Sequence, residues 1–353
     1  MNILILALSG IGDALMFTPA LSLLRKSLPD ARIDALVMFK GVNDMYERNK
    51  DIDNVYYFDF LNHGIYASFT YLLKLRNKYQ VSINIYPSNR KEYNLINFLI
   101  GARKRVGVNY LRMNTRELSF LNNLRITEND SVHNVQTNIK LVEKLLDEKF
   151  TDEPGLNFPV TNDDESFAAG YLAELKIKES DVLIGFHPGS ATFKNHAFRR
   201  WEPEKFAELG RKLTKNTGTK ILVFGGPEEE ELKQKIVKSV KSGNVFSATA
   251  MNLPQSAAVI KRCNVFVTND SSLMHVASAM KSKVVVVIGP TNTSYIHPWH
   301  TSYKIISLGL ECSPCFFYSP RPLICSRTDV KFKCIKELSV DRIYNAVESF
   351  IDK

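Results

Sequence analysis

The chain opens on an unbroken apolar run at residues 3–8, followed by a glycine-containing turn and then by residues 14–28, whose apolar positions recur at helical spacing. A short continuous apolar run that gives way to a 3.6-residue period predicts a strand leading into a helix. The same alternation continues with apolar runs at 33–38, 55–58 and 81–85 and helical patterns at 66–78 and 93–100. Strands and helices that alternate in this way predict a parallel sheet covered by helices on its faces. A segment rich in Pro, Gly and Asp, TDEPGLNFPVTNDDE, interrupts the pattern from residue 151. After it the alternation restarts, with strands expected at 182–186, 220–224, 245–247, 265–268 and 284–288 and helices between them. The expected fold is therefore α/β, with two Rossmann-like doubly wound domains at 1–165 and 166–336 and a C-terminal helix, 337–353, packing back on the first domain.

Composition narrows the class. A length of 353 residues suits two ordinary domains better than one core. With 44% hydrophobic and 24% charged residues, the chain has the make-up of a folded globular protein. The apolar N-terminus has no basic flank and is broken by Gly10, Gly12 and Asp13, so it reads as a buried strand and the expected location is the cytoplasm. No apolar run is long enough to span a membrane. A net charge of +9 points either to an anionic partner or to a basic surface that only keeps the protein soluble. The small clusters Arg103-Lys104-Arg105 and Arg199-Arg200 come with no nucleic-acid motif, so phosphorylated sugars and acidic lipids are favoured over nucleic acid.

In doubly wound sheets, ligands bind beyond the carboxyl ends of the strands. The first such loop, Leu8-Ser9-Gly10-Ile11-Gly12-Asp13, lacks the third glycine of a dinucleotide fingerprint, and no nicotinamide or other cofactor is expected. Its glycines admit a ligand close to the backbone, and Asp13 either accepts a proton from an attacking hydroxyl or N-caps the next helix. In the second half, His187-Pro188-Gly189-Ser190-Ala191-Thr192-Phe193-Lys194 offers hydroxyls, N–H groups and a cation to a pyrophosphate. Arg199-Arg200-Trp201 either neutralises such a group or forms a solvated turn over a packed aromatic. At Phe224-Gly225-Gly226-Pro227-Glu228, Glu228 either bonds ribose hydroxyls or only favours the positive end of a helix. Asn269-Asp270-Ser271-Ser272-Leu273-Met274-His275 ends a strand and begins a helix, which makes it an anion site; His275 is a packed or capping residue or else a catalytic one. Cys312, Cys315, Cys325 and Cys334 begin as a zinc knuckle does, but their later spacings match no standard zinc pattern, and reduced thiols are the alternative.

Taken together these residues resemble the bacterial heptosyltransferases of glycosyltransferase family 9, which build the lipopolysaccharide inner core from ADP-heptose. The resemblance is carried in order by Gly12-Asp13 with Thr18-Pro19, by the GARKRVG segment at 101–107, by His187-Pro188-Gly189-Ser190, Arg199-Arg200-Trp201 and Phe224-Gly225-Gly226-Pro227-Glu228, and by residues 269–275. It implies the two-domain GT-B architecture and an inverting, metal-independent transfer with Asp13 as general base. It assigns the donor to Ser190, Thr192, Lys194 and Arg199 at the diphosphate, Glu228 at the ribose, the backbone near Met251 at the adenine, Ser271, Ser272 and Leu273 at the phosphates and Asp270 at the sugar, with His275 in the same motif. Gly10, Gly12, Arg103 and Arg105 fall to the acceptor side, which would be lipid-linked or glycan, with peripheral association at the inner membrane face. The chain departs from the family at Ser271-Ser272, where Thr-Gly is common, at Arg199, where many members have lysine, and at residues 133–138, which lack the charged residues some members carry. A UDP- or GDP-sugar transferase and a non-catalytic nucleotide-sugar-binding module are the rival readings.

Overall fold

The computed structural model describes residues 1–113, 116–216, 218–317 and 322–351, with the backbone alone at Phe193 and Lys194. Its strands are β1 (Asn2–Ala7), β2 (Arg32–Val37), β3 (Asn54–Tyr57), β4 (Val81–Asn84), β5 (Lys104–Asn109), β6 (Leu124–Thr127), β7 (Val182–His187), β8 (Thr219–Val223), β9 (Val245–Ser247), β10 (Val265–Asn269), β11 (Lys283–Val287) and β12 (Tyr303–Ile306). Its α-helices are α1 (Ile11–Ser27), α2 (Lys40–Tyr46), α3 (Ile65–Leu75), α4 (Lys91–Ile100), α5 (Asn134–Leu146), α6 (Asn162–Glu174), α7 (Pro203–Leu213), α8 (Glu230–Val240), α9 (Leu253–Lys261), α10 (Ser272–Ala279), α11 (Lys333–Lys336) and α12 (Val340–Ile351). The chain divides into two compact units, the first being Met1–Pro159. The division falls a few residues before 165, because Thr161 caps α6 in a reciprocal capping box with Asp164, which places 162–165 in the first turn of a helix of the second unit.

Each unit has a six-stranded sheet among the described residues, in the order β3-β2-β1-β4-β5-β6 in the first and β12-β11-β10-β7-β8-β9 in the second. All the strand pairs are parallel, as in Leu6 opposite Leu36 on one side and Asn84 on the other. β1 has no exposed residue, which explains its unbroken apolar run: a central strand of a covered parallel sheet is buried on both faces. In both sheets the strand order reverses beside the first strand of the unit. The two switch points therefore lie between β1 and β4 and between β7 and β10.

Helix α1 contains Pro19 in its interior, where proline removes the hydrogen bond to the carbonyl four residues back. The Thr18 hydroxyl donates to that carbonyl, Leu15 O, at 2.7 Å, and accepts from Asn157 N at 2.9 Å. The Thr18-Pro19 pair thus keeps α1 intact across the break.

Helix α12 belongs to the second unit, which corrects the expectation for 337–353. Its apolar residues Val340, Ile343, Ala346 and Val347 join the core that holds Ile184, Trp201 and Phe206, and the Lys212–Asp341 ion pair ties it to α7. The i, i+3, i+7 spacing of 340, 343 and 347 makes one stripe, and the second sheet buries it.

Candidate active site

In the second unit, β7 and β10 are adjacent and end in polar residues, His187 and Asn269. The buried Asn269 amide donates to Pro188 O at 2.7 Å and accepts from Trp201 N at 2.9 Å, so one side chain holds two loops beside the switch point. Trp201 is fully buried and donates through Nε1 to Leu338 O at 3.1 Å. This anchor fixes the two preceding arginines. The solvated-turn alternative for Arg199 and Arg200 is corrected here: the aromatic is packed as that alternative supposed, but neither arginine is free in solvent. Arg199 is 9% exposed and donates through Nη1 to Asp270 Oδ2 at 2.5 Å, with its guanidinium 4.9 Å over the Phe316 ring. Thr291 donates to the same Asp270 oxygen at 2.7 Å. Arg199 Nε is buried without a hydrogen-bond partner among the described residues, which leaves a cationic donor unsatisfied.

A second buried carboxylate, Glu229, links the neighbouring loops. It accepts from Arg200 Nη2 at 3.0 Å and from Gly226 N at 3.1 Å, and lies 3.2 Å from His187 Nε2. Burial works against its ionisation, yet the hydrogen bond and charge of His187, the Gly226 N–H and Arg200 hold its carboxyl below the usual range. On the other side of its ring, His187 Nδ1 lies 2.8 Å from the Ser271 hydroxyl, so the imidazole bridges Glu229 and Ser271. Ser271 is the N-cap of α10, but its side chain makes no capping bond. The first-turn N–H groups of α10, at exposed Ser272 and half-buried Leu273, are therefore not occupied by a side-chain cap, and the positive end of the helix dipole is presented there.

The other expected donor residues surround these. Ser190 is buried; its hydroxyl lies 3.3 Å from Ala191 O, and its carbonyl accepts from Arg200, so it supports the loop. Thr192 is exposed, while the Lys194 side chain lies outside the described residues. Glu228 is exposed in the turn after β8, and Met251 is half-buried in the loop after β9. His275 is 2% exposed on the inner side of α10, neither ring nitrogen has a partner among the described residues, and burial lowers its pKa to about 4. The capping reading of His275 is corrected, because Ser271 is the N-cap and His275 lies inside α10; its burial is that of the packed alternative. Among the four C-terminal cysteines Cys334 is buried, and burial together with the neighbouring thiols pushes it up to about 11. Among the described residues no cluster of His, Cys, Asp and Glu has the disposition to hold a metal ion.

In the first unit Gly10 is the N-cap of α1 and Asp13 lies inside its first turn, which corrects the alternative that Asp13 is itself the cap. Asp13 is half-buried beyond the carboxyl end of β1, and Gly12 is buried beside it. A Cβ at Gly10 would meet no atom within 4 Å, so the protein leaves open space at the cap. Burial pushes the Tyr93 hydroxyl up to about 12, Arg90 opposing it and the Asp13 carboxylate adding to it. Tyr110 is also raised well above its ordinary value, first by burial, with Glu128 and Asp13 contributing. Two protonated tyrosines therefore stand in the electrostatic range of Asp13. Arg103 and Arg105 do not share this edge. They lie at the amino end of β5, and Arg105 donates to Ala102 O at 2.7 Å and Leu121 O at 2.9 Å. The acceptor-side expectation for these two arginines is corrected, because the carboxyl edge with Asp13 is at the far end of β5, about 20 Å along the strand from Arg103 and about 13 Å from Arg105. The uncharged segment 133–138 is used for packing: buried His133 caps α5, and Asn138 bonds Tyr86 N at 2.8 Å and Tyr86 O at 2.9 Å.

Glu229, Thr291, Tyr93 and Tyr110 are the members of these sites that motif reading passes over. A buried acidic residue next to a Gly-Gly turn was the available signal for Glu229.

The model of the family described as Glycosyltransferase family 9 (heptosyltransferase) matches residues 74–321. The lipooligosaccharide heptosyltransferase 2 of Haemophilus influenzae is 28% identical over 321 residues, covering 87% of this chain and 89% of that protein. The protein of the same name from Campylobacter jejuni is 30% identical over 190 residues, so that the match spans 52% of this chain and about half, 55%, of that relative. The solved structure of the E. coli ADP-heptose lps heptosyltransferase II superposes with a TM-score of 0.76 at 18% identity, covering 99% of this chain and 98% of that one, and shares the fold.

Proposed function

The chain belongs to glycosyltransferase family 9, and from that premise we propose that it moves a heptose from ADP-heptose to a lipopolysaccharide-core or related surface-glycan acceptor. The observation that carries the reading is the buried Arg199, held by Asp270 and with Nε unsatisfied, in the same unit as an α10 N-terminus that no side chain caps. A cation and oriented N–H groups are what a departing nucleoside diphosphate requires. The names of the relatives supply the heptose, and the name of the E. coli enzyme supplies ADP.

The reaction is a single displacement. Asp13 accepts the proton of an acceptor hydroxyl whose oxygen attacks the anomeric carbon of the donor, and the bond from that carbon to the diphosphate oxygen breaks with its electron pair leaving on ADP. The configuration at the anomeric carbon inverts. Tyr93 and Tyr110, raised by burial and by the nearby carboxylates, stay protonated throughout. Arg199, Arg200 and the N–H groups of Ser272 and Leu273 stabilise the leaving charge, the task a divalent cation performs elsewhere, so transfer proceeds without one. Ser190, Thr192 and Lys194 line the diphosphate loop, Glu228 takes the ribose, the backbone at Met251 the adenine, and Asp270 reaches the sugar through the oxygen that Arg199 and Thr291 leave free. With a lipid-linked acceptor, the reaction takes place at the cytoplasmic face of a membrane.

Calorimetric titration with ADP, UDP and GDP, with and without magnesium, tests the donor assignment. Selective ADP binding that does not need the metal supports it, whereas preference for UDP or GDP overturns the ADP-heptose donor.

A further inference from the structure

Helix α3 is apolar on more than the face it buries. Leu72 and Leu75 pack into the first unit, yet Ile65 is 91% exposed, Tyr66 83%, Phe69 45% and Leu73 46%. At 100° per residue these four exposed side chains fall within one arc of about 100°. The neighbouring α4 does the same: Tyr93, Ile96 and Ile100 face inward while Leu95 and Phe98 are 44% and 46% exposed. The two helices pack against each other and share one core cluster. An exposed apolar face built from two adjacent helices exceeds the singly scattered surface hydrophobes of ordinary proteins and marks an interaction surface.

Charge selects the occupant. Residues 61–105 contain eight basic residues and one acidic residue, Glu92, so this stretch carries most of the net charge of +9. Lys74, Arg76 and Lys78 are exposed where α3 ends, Lys91 is exposed where α4 begins, and Arg103 and Lys104 are exposed beyond α4. The Arg105 guanidinium lies 5.5 Å over the ring of Phe98, directly on the patch. A second copy of the chain docked face to face would set these cations against one another. An anionic surface with an apolar layer beneath it would satisfy both the cations and the exposed side chains.

We propose that the outer face of α3 and α4 docks the protein on an anionic phospholipid surface. The helices lie in the plane of the interface, with Ile65, Tyr66, Phe69, Leu73, Leu95 and Phe98 entering the acyl boundary and the basic residues meeting the headgroups. Docking is peripheral: α3 has 11 residues, about half of what a span needs, and no helix of the described residues is long and apolar enough to cross a membrane. Arg103 and Lys104, far from Asp13, thereby acquire a role. The N-terminal ends of α3 and α4 follow the carboxyl ends of β3 and β4, the edge on which Asp13 lies, so the docked face reaches the edge where a lipid-linked acceptor would be engaged. The docking itself does not rest on the transfer reaction and is measured without donor or acceptor.

The test is flotation of the full chain with vesicles of phosphatidylcholine alone and with about a quarter phosphatidylglycerol. The wild type should float with the anionic vesicles and be released by salt. Replacing Ile65, Tyr66 and Phe69 by Ser should weaken binding by about tenfold or more with an unchanged melting temperature. In a second variant with the surface aromatics intact, Lys74→Glu with Arg76→Glu should also weaken binding and reduce its salt dependence. Failure of the wild type to bind anionic vesicles overturns the proposal, as does unchanged flotation of both variants. A wild-type dimer in sedimentation that the serine variant abolishes, without any effect on flotation, assigns the face to self-association instead.

Discussion

Arg199 and Asp270, 71 positions apart in the chain, meet with Nη1 2.5 Å from Oδ2, and both side chains are almost entirely withdrawn from solvent. The pair spans the 3-10 turn Phe193–Arg199 and the residue after β10, so it fastens the loop that follows β7 to the strand that leads into α10.

Removing one partner of a buried ion pair strands the other charge, at a cost of about 3–5 kcal/mol. Arg199→Ala should therefore destabilise the second unit by about that amount in urea unfolding and weaken ADP binding by at least about tenfold. Replacing both residues by Leu should recover much of the stability without recovering ADP affinity. Recovery of both would mean that Arg199 acts only through packing.

Glu229 ties His187, Arg200 and Gly226 together, and Glu229→Gln should cost about 1.5–3 kcal/mol through loss of charge-assisted bonds. The depressed carboxyl gives the sign of the pH effect. Its contribution is fully present above the ordinary glutamate value of about 4.5 and is lost as pH falls through its lower folded value. Melting curves of wild type and variant should converge below about pH 4.5. A difference that stays constant from pH 7 to pH 3 would contradict the assignment.

His275 is buried and neutral with a pKa of about 4, whereas the unfolded chain takes up a proton near 6.5. The stability it contributes is present above pH 6.5 and lost on acidification toward 4, amounting to about 2 kcal/mol by pH 5. Urea unfolding at pH 7 and pH 5 should show this loss in the wild type and its absence in His275→Leu. Equal pH dependence in the two proteins would contradict a buried neutral histidine.

The alternation of elements was legible because central parallel strands such as β1 and β10 are buried on both faces and leave unbroken apolar runs. The placement of Asp13, Arg199 and Ser272 in the segments after β1, β7 and β10 was legible, because each follows a recognisable apolar run. What could not be read was which loops become neighbours. The Glu229–His187 contact needs β7 and β8 side by side, and the Asn269–Trp201 bond needs β10 beside β7, neither of which is encoded in local spacing. Arg103 and Arg105 misled for a related reason: a basic cluster does not reveal which end of a strand it occupies, and these two stand at the amino end. Helix α12 shows its apolar stripe plainly in sequence, but not which of two similar sheets will cover it.

The central claim is that Asp13 is the base of a heptose transfer, and Asp13→Asn tests it most directly, because the amide keeps the shape and loses the proton acceptor. Turnover of ADP-heptose with a lipid-core acceptor should fall by about a thousandfold while ADP affinity and melting temperature stay unchanged. Turnover within a few-fold of wild type would contradict the claim and leave Asp13 as a residue of the α1 first turn with no part in the chemistry.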